Sequence, residues 1–98
     1  MTRNEVISRL KAVEPALRAQ GAATLYLFGS HARDQASDRS DVDIFIDRDP
    51  DRPFGFVELT NIQMMLEEVL GTEVDLATRT ALHPRLRTEI ERTAIRVL

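Results

Sequence analysis

The sequence predicts an α/β fold in which helices cover a small mixed β-sheet. Short apolar or alternating runs, typical of strands, occur at 25–28, 40–47, 73–77 and 95–98. Stretches with apolar residues at helical spacing lie between these runs, and Gly or Pro separates the elements. With 98 residues the chain is long enough for one domain, 1–98, around a single core.

The first predicted element is an amphipathic helix. Thr2 and Glu5 have the spacing of a capping box, which marks a helix start. Four apolar residues follow at helical spacing: Val6, Leu10, Val13 and Leu17. Because Pro15 has no amide hydrogen, we expect a kink or break near Glu14, and Gly21 should close the segment.

The first predicted strand, Leu25–Phe28, is apolar and aromatic and stops at Gly29. If a helix begins at Ser30, its hydroxyl and the neighbouring free N–H groups can bind an anion such as phosphate. The loop Asp34–Arg39 that follows has no apolar anchor, so mobility is expected there.

The second predicted strand, Ser40–Asp47, carries paired acids. Alternation places Asp41 and Asp43 on one face and apolar residues on the other. Close carboxylates repel each other, which raises a pKa or calls for a cation such as Mg²⁺. Asp75, in the predicted strand Glu73–Ala77, can join them if the two strands are neighbours; otherwise it is a surface or cap residue. Three carboxylates suffice for two metal ions about 3.5–4 Å apart.

Two helices and an edge strand complete the prediction. The segment Asp49–Pro53 ends the second strand, and Pro53 can lie in the first turn of the next helix. That helix continues through Leu59–Val69 and stops at Gly71. The last helix covers Thr80–Arg92, and the edge strand follows it. Four apolar side chains fit either ordinary core packing or a partner surface: Phe54, Phe56, Met64 and Met65.

Composition limits the classes of function. The net charge of −3 argues against direct nucleic-acid binding. Aspartates concentrate between Asp34 and Asp51, which fits metal binding, and arginines between Arg79 and Leu98, where a solvated surface is favoured over a site for RNA or an acidic partner. The absence of Cys excludes disulfides and zinc–thiolate sites. Without a signal peptide or a membrane-length apolar run, we expect a soluble cytoplasmic protein.

One set of residues carries a family resemblance: Gly29, Ser30, Ala32, Arg33, Ser40, Asp41, Asp43 and Asp75. Their order and spacing resemble the GSxAR…SDxD…D pattern of minimal nucleotidyltransferases, the smallest members of the DNA polymerase β superfamily. The resemblance covers nearly the whole chain and implies a polymerase β-like core. It also implies metal-dependent transfer of a nucleoside monophosphate, AMP from ATP being the leading expectation, onto an acceptor hydroxyl with release of pyrophosphate.

The resemblance also assigns roles to residues. Three carboxylates would be catalytic and bind two Mg²⁺ ions, with Mn²⁺ as an alternative: Asp41, Asp43 and Asp75. The last of these would lie beside the acceptor and help take its proton. Gly29 and Ser30 would hold the β and γ phosphates of ATP. Arg33 would neutralise charge there or form a salt bridge with the Asp-rich loop.

Partners and alternatives follow from the same resemblance. Minimal nucleotidyltransferases are commonly encoded beside a HEPN-domain ribonuclease toxin and act as its antitoxin, so a tyrosine of such a partner is the implied acceptor. His31 stands where the family often has Arg, and Asp34 where it often has Gly. Asp tolerates a left-handed backbone, but both changes lower the positive charge near the triphosphate. The competing hypothesis is a non-catalytic antitoxin or regulatory subunit that acts by binding its partner. A nucleotide-sensing module is a third option.

Overall fold

The computed structural model describes residues 1–37 and 40–98. The helices are α1 (Arg3–Ala12), α2 (Glu14–Ala19), α3 (Gly29–Ala32), α4 (Phe56–Leu70) and α5 (Pro84–Thr93), with a 3₁₀ turn at Arg79–Ala81. The strands are β1 (Ala22–Phe28), β2 (Val42–Arg48), β3 (Val74–Thr78) and β4 (Ile95–Arg96). They form one mixed sheet in the order β3-β2-β1-β4. Strand β1 is antiparallel to β2 and β4, and β2 is parallel to β3. The predicted α/β fold is therefore confirmed.

The N-terminal segment folds as its sequence predicts. The Thr2 hydroxyl accepts a hydrogen bond from the Glu5 amide at 3.2 Å and caps α1. The helix breaks at Val13, and Pro15 lies in the first turn of α2, where its missing N–H costs no hydrogen bond. Gly21 has φ +98°, so it supplies the left-handed residue that turns the chain into β1.

Two helix boundaries differ from the prediction. Helix α4 begins at Phe56, after Pro53, where the Gly55 amide donates to the Glu58 carboxylate at 3.3 Å. The last helix begins at Pro84 instead of Thr80. The residue before a proline avoids helical angles, so His83 is extended at φ −57° and ψ 127° and separates the 3₁₀ turn from α5.

Helices cover one face of the sheet. The alternating apolar residues of β1 and β2 join side chains of α1, α2 and α4 in one core. Its fully buried members include Val6, Leu10, Leu17, Leu25, Leu27, Ile44, Ile46, Ile62 and Leu66. The opposite face is therefore the one that carries the acidic side chains of β2.

The opposite face also carries an aromatic layer. Phe45 alternates onto the same face as Asp43, yet it is fully buried. The Tyr26 ring stacks on it with 4.7 Å between centroids, and the Phe28 ring packs at 5.7 Å. The Arg79 guanidinium lies 5.0 Å from the centroid of the Phe45 ring. Aromatic contacts and a cation therefore shield Phe45 from water.

An ion-pair network fixes Arg79 over this layer. Its Nε and Nη2 donate to the two carboxylate oxygens of Asp47 at 2.8 and 2.9 Å, and its Nη1 donates to Glu91 at 3.0 Å. The Thr24 hydroxyl donates to Asp47 at 2.6 Å. Hydrogen bonds from Arg79, more than any other cause, lower the pKa of Asp47. The network joins β2 to the 3₁₀ turn and α5.

We expect Arg79→Met to lower the free energy of unfolding by about 1–2 kcal/mol, since it removes the bidentate, partly buried ion pair with Asp47. The pKa of Asp47 is lowered on folding, so its contribution is present above the unfolded pKa of about 3.9 and is lost as the pH falls through the folded value. Urea unfolding at pH 7 and pH 3 tests this. The stability difference between the variant and wild type should be smaller at pH 3 than at pH 7, and equal midpoints at pH 7 would contradict the prediction. Arg92→Met, which removes an exposed pair with Glu89, is the control and should change little.

Candidate active site

The glycine–serine turn follows β1 directly, as predicted. Gly29 has φ +71° and begins α3, with Ser30 behind it. A Cβ atom built on Gly29 collides with the carboxylate of Asp43. Two features therefore favour glycine at position 29, since the left-handed backbone and the close Asp43 carboxylate both exclude a side chain. The turn and the acidic strand meet at this point.

The acidic residues lie at the same end of the sheet. Asp43 is paired in register with Asp75 on the parallel neighbour β3 and with Phe28 on β1. Register partners on neighbouring strands are about 4.8 Å apart and share a face. Asp41 lies just before β2, two residues from Asp43, and is exposed, as is Asp75. The condition that the two acidic strands be neighbours is met.

The electrostatics of Asp43 reflect this crowding. Burial raises its pKa most, and the carboxylates of Asp75 and Asp41 raise it further. His31 and Arg33 act in the opposite direction. An Asp43 carboxylate at neutral pH is therefore held among like charges, and a bound cation would relieve the repulsion.

The donor set fits a hard divalent cation, since carboxylate oxygens are the ligands that Mg²⁺ and Mn²⁺ prefer. Across residues 1–37 and 40–98, no three acidic or His side chains converge into a ready-made metal site.

Arg33 and the loop after it lie beside this cluster. Arg33 is exposed and its Nε donates to the Gln35 side chain at 3.2 Å. Its positive charge lowers the pKa of Asp43, although less than His31 does. The alternative salt bridge to the Asp-rich loop, and the predicted mobility of the loop Asp34–Arg39, fall partly on residues 38–39, which lie outside the described residues.

The two residues that depart from the family pattern, His31 and Asp34, lie in different environments. His31 is 3% exposed, and its Nδ1 has no hydrogen-bond partner among the described residues. It is thus packed inside the molecule. Asp34 is exposed with φ +57°, and its carboxylate accepts a hydrogen bond from the Arg3 amide at 2.9 Å. The prediction that Asp can adopt the left-handed backbone at this position is confirmed.

The four apolar residues considered for a partner surface separate into two pairs. Phe56 is 83% exposed and Met64 is 62% exposed, both on α4. Phe54 and Met65 are partly buried against the core. Val57, 67% exposed, joins the first pair. In the part of the chain that the structure describes, no helix is long and apolar enough to cross a membrane.

A glycine–serine turn beside paired carboxylates at the end of a mixed sheet is suited to holding phosphate groups and the cations that accompany them. The nucleotidyltransferase domain model matches residues 9–97. The chain belongs to this family, as its motif predicted, and it has the minimal nucleotidyltransferase fold.

Relatives with assigned activities support the family at the level of sequence. A proposed protein adenylyltransferase of Methanocaldococcus jannaschii is 36% identical over 84 residues, covering 86% of this chain and 88% of the relative. Protein adenylyltransferase MntA of Thermococcus cleftensis is 34% identical over 98 residues, covering 98% of this chain and 92% of the relative.

Solved structures support the family assignment at the level of the fold. A proposed minimal nucleotidyltransferase superposes with a TM-score of 0.82 and 32% identity, over 97% of this chain and 95% of that one. The MNT antitoxin complexed with a tri-AMPylated HEPN toxin of Shewanella oneidensis gives a TM-score of 0.67 at 14% identity, over 99% of this chain and 72% of that one. The second likeness concerns the fold alone.

Proposed function

We propose that this enzyme transfers AMP from ATP to a hydroxyl of a partner protein, a tyrosine of a HEPN toxin, and thereby acts as an antitoxin. The observation that carries the proposal is the position of Asp43, which lies against the Gly29 turn and is in register with Asp75. The turn to which we assign phosphate binding therefore lies beside the carboxylates to which we assign metal binding. The adenylyltransferase relatives favour AMP and a protein acceptor.

In this mechanism the acceptor oxygen attacks the α phosphorus, and the bond from that phosphorus to the oxygen bridging to the β phosphate breaks. Pyrophosphate leaves, and AMP stays on the acceptor. Gly29 and Ser30 hold the β and γ phosphates through the turn, and Arg33 offsets their charge. Asp75 lies beside the acceptor and receives its proton.

Divalent metal ions belong to the same proposal. Asp41 and Asp43 would hold two Mg²⁺ ions, or Mn²⁺, and Asp75 would share the one nearer the acceptor. When bound, the ions offset phosphate charge and make the acceptor hydroxyl easier to deprotonate. The raised pKa of Asp43 supports this assignment, because burial and then the neighbouring carboxylates of Asp75 and Asp41 raise it.

The partner would supply the acceptor and a wall of the site. Substrate would be exposed to water on the sheet face that carries Asp41 and Asp75, because both side chains are exposed. The exposed Phe56, Val57 and Met64 are candidates for the contact. We place the reaction in the cytoplasm, where ATP is available.

Intact mass spectrometry tests the transfer. The protein is incubated with ATP and Mg²⁺, with and without the product of the adjacent gene. A partner mass that grows by whole AMP units, and does not grow with the Asp41→Ala, Asp43→Ala double variant, supports the proposal. A stable complex without a mass gain would favour the non-catalytic antitoxin instead. Asp49→Ala, Asp51→Ala is the matched control, since it removes two acids outside the cluster.

A further inference from the structure

The end of α3 is a Schellman motif with an aspartate where glycine is usual. The Gln35 amide donates to the Ser30 carbonyl at 2.8 Å, and the Asp34 amide donates to the His31 carbonyl at 3.2 Å. These are the two hydrogen bonds of that motif, and its left-handed position is Asp34 at φ +57°. The backbone of Ser30 is therefore fixed by the turn that contains Asp34.

The side chain of Asp34 then joins this turn to a distant element. Its Oδ1 accepts a hydrogen bond from the Arg3 amide at 2.9 Å, across 31 residues of sequence. Arg3 is the first residue of α1, and its amide has no partner within the helix. A carboxylate at a helix N-terminus also interacts favourably with the helix dipole. Thr2 caps the Glu5 amide of the same helix, so the two caps act on different donors.

We propose that Asp34 is a positioning residue that holds the Gly29–Ser30 turn against the start of α1 and thereby sets nucleotide affinity. The left-handed backbone directs the carboxylate to Arg3, and the same residue ends the short helix that presents Ser30. On this account, the acid offsets the conformational cost of a residue other than glycine by capping α1. The inference rests on the proposed function for its nucleotide readout.

Three variants at position 34 separate the contribution of the left-handed backbone from that of the side-chain acceptor. Asp34→Gly keeps the left-handed backbone but removes the acceptor, whereas Asp34→Asn keeps both. Asp34→Ala keeps neither. Asp51→Asn is the matched control, because it removes an exposed acid that caps no helix. Mg²⁺ and a non-hydrolysable ATP analogue are the probe, and calorimetry gives Kd.

We expect Asp34→Gly and Asp34→Ala to raise Kd about three- to tenfold, while Asp34→Asn and Asp51→Asn stay near wild type. Unchanged or tighter binding in Asp34→Gly would overturn the proposal. Tighter binding in both Asp34→Gly and Asp34→Asn would instead show that the acid acts by repelling phosphate.

Hydrogen exchange of the Arg3 amide gives a readout that needs no nucleotide. The exchange rate should increase in Asp34→Gly and Asp34→Ala but not in Asp34→Asn. An unchanged rate in all three variants would overturn the proposal that Asp34 holds the Arg3 amide. If wild type binds no analogue, the proposed function fails, and the exchange rates still decide whether Asp34 holds Arg3. If wild type binds and the variants equal it, the positioning role alone fails.

Discussion

Replacing Asp43 with Asn should abolish AMP transfer and stabilise the metal-free protein. Transfer should fall about 10³-fold or more, because Asn lacks the charge needed to hold a divalent ion against the α phosphate. Stability should rise at neutral pH because burial and the Asp75 and Asp41 carboxylates raise the pKa of Asp43, so its ionised form destabilises the fold. Mass spectrometry of the partner and thermal unfolding measure the two effects.

The stability difference between Asp43→Asn and wild type should depend on pH. The folded pKa of Asp43 is raised above the unfolded value of about 3.9, so the wild-type contribution is fully present below that pH and is lost as the pH rises through the folded pKa. The thermal midpoint of Asp43→Asn should therefore equal that of wild type near pH 3 and exceed it at pH 7. Asp51→Asn should show neither effect. Retained transfer, or a lower midpoint at pH 7, would contradict the assignment of Asp43.

Gly29→Ala should be the most disruptive single change at the turn. It puts a methyl group on a residue with φ +71° and drives that group into the Asp43 carboxylate. The left-handed strain and the collision together should lower the free energy of unfolding by about 2–4 kcal/mol. Transfer should fall at least about 10²-fold even at temperatures where the variant is folded, because Asp43 must move.

Gly71→Ala is a matched control for Gly29→Ala. Gly71 ends α4 with φ +69°, nearly the same backbone, but a Cβ atom there meets nothing within 4 Å. The free energy of unfolding of Gly71→Ala should fall by only about 1 kcal/mol, the cost of the left-handed backbone alone. The variant should keep full transfer activity. Urea unfolding and transfer assays compare the pair. Equal losses of stability, or an active Gly29→Ala, would show that the Asp43 contact does not shape the site.

Much of the fold could be predicted because its signals are local. The cap at Thr2, the break before Pro15 and the stop at Gly71 each depend on neighbouring residues, and the structure contains all three. The start of the last helix was also a local matter. Pro84 restrains His83 to an extended backbone, and this effect outweighed the helical spacing that favoured a start at Thr80.

The rest depends on strand register, which a single sequence does not determine. Asp43 and Asp75 were expected to meet only if their strands were neighbours, and the parallel pairing of β2 with β3 supplies that condition. The ion pair between Asp47 and Arg79 was not predicted, since it requires both the register and the path of the chain after β3. The contact of Asp34 with Arg3 joins residues 31 positions apart and has no local signal.

Position-specific labelling of ATP tests the central claim most directly. The protein and its partner are incubated with Mg²⁺ and ATP that carries radioactive phosphorus at either the α or the γ position. Transfer of AMP predicts that the α label becomes bound to the partner and that the γ label leaves as pyrophosphate. A partner that carries the γ label, or neither label while the two proteins form a stable complex, would contradict the account.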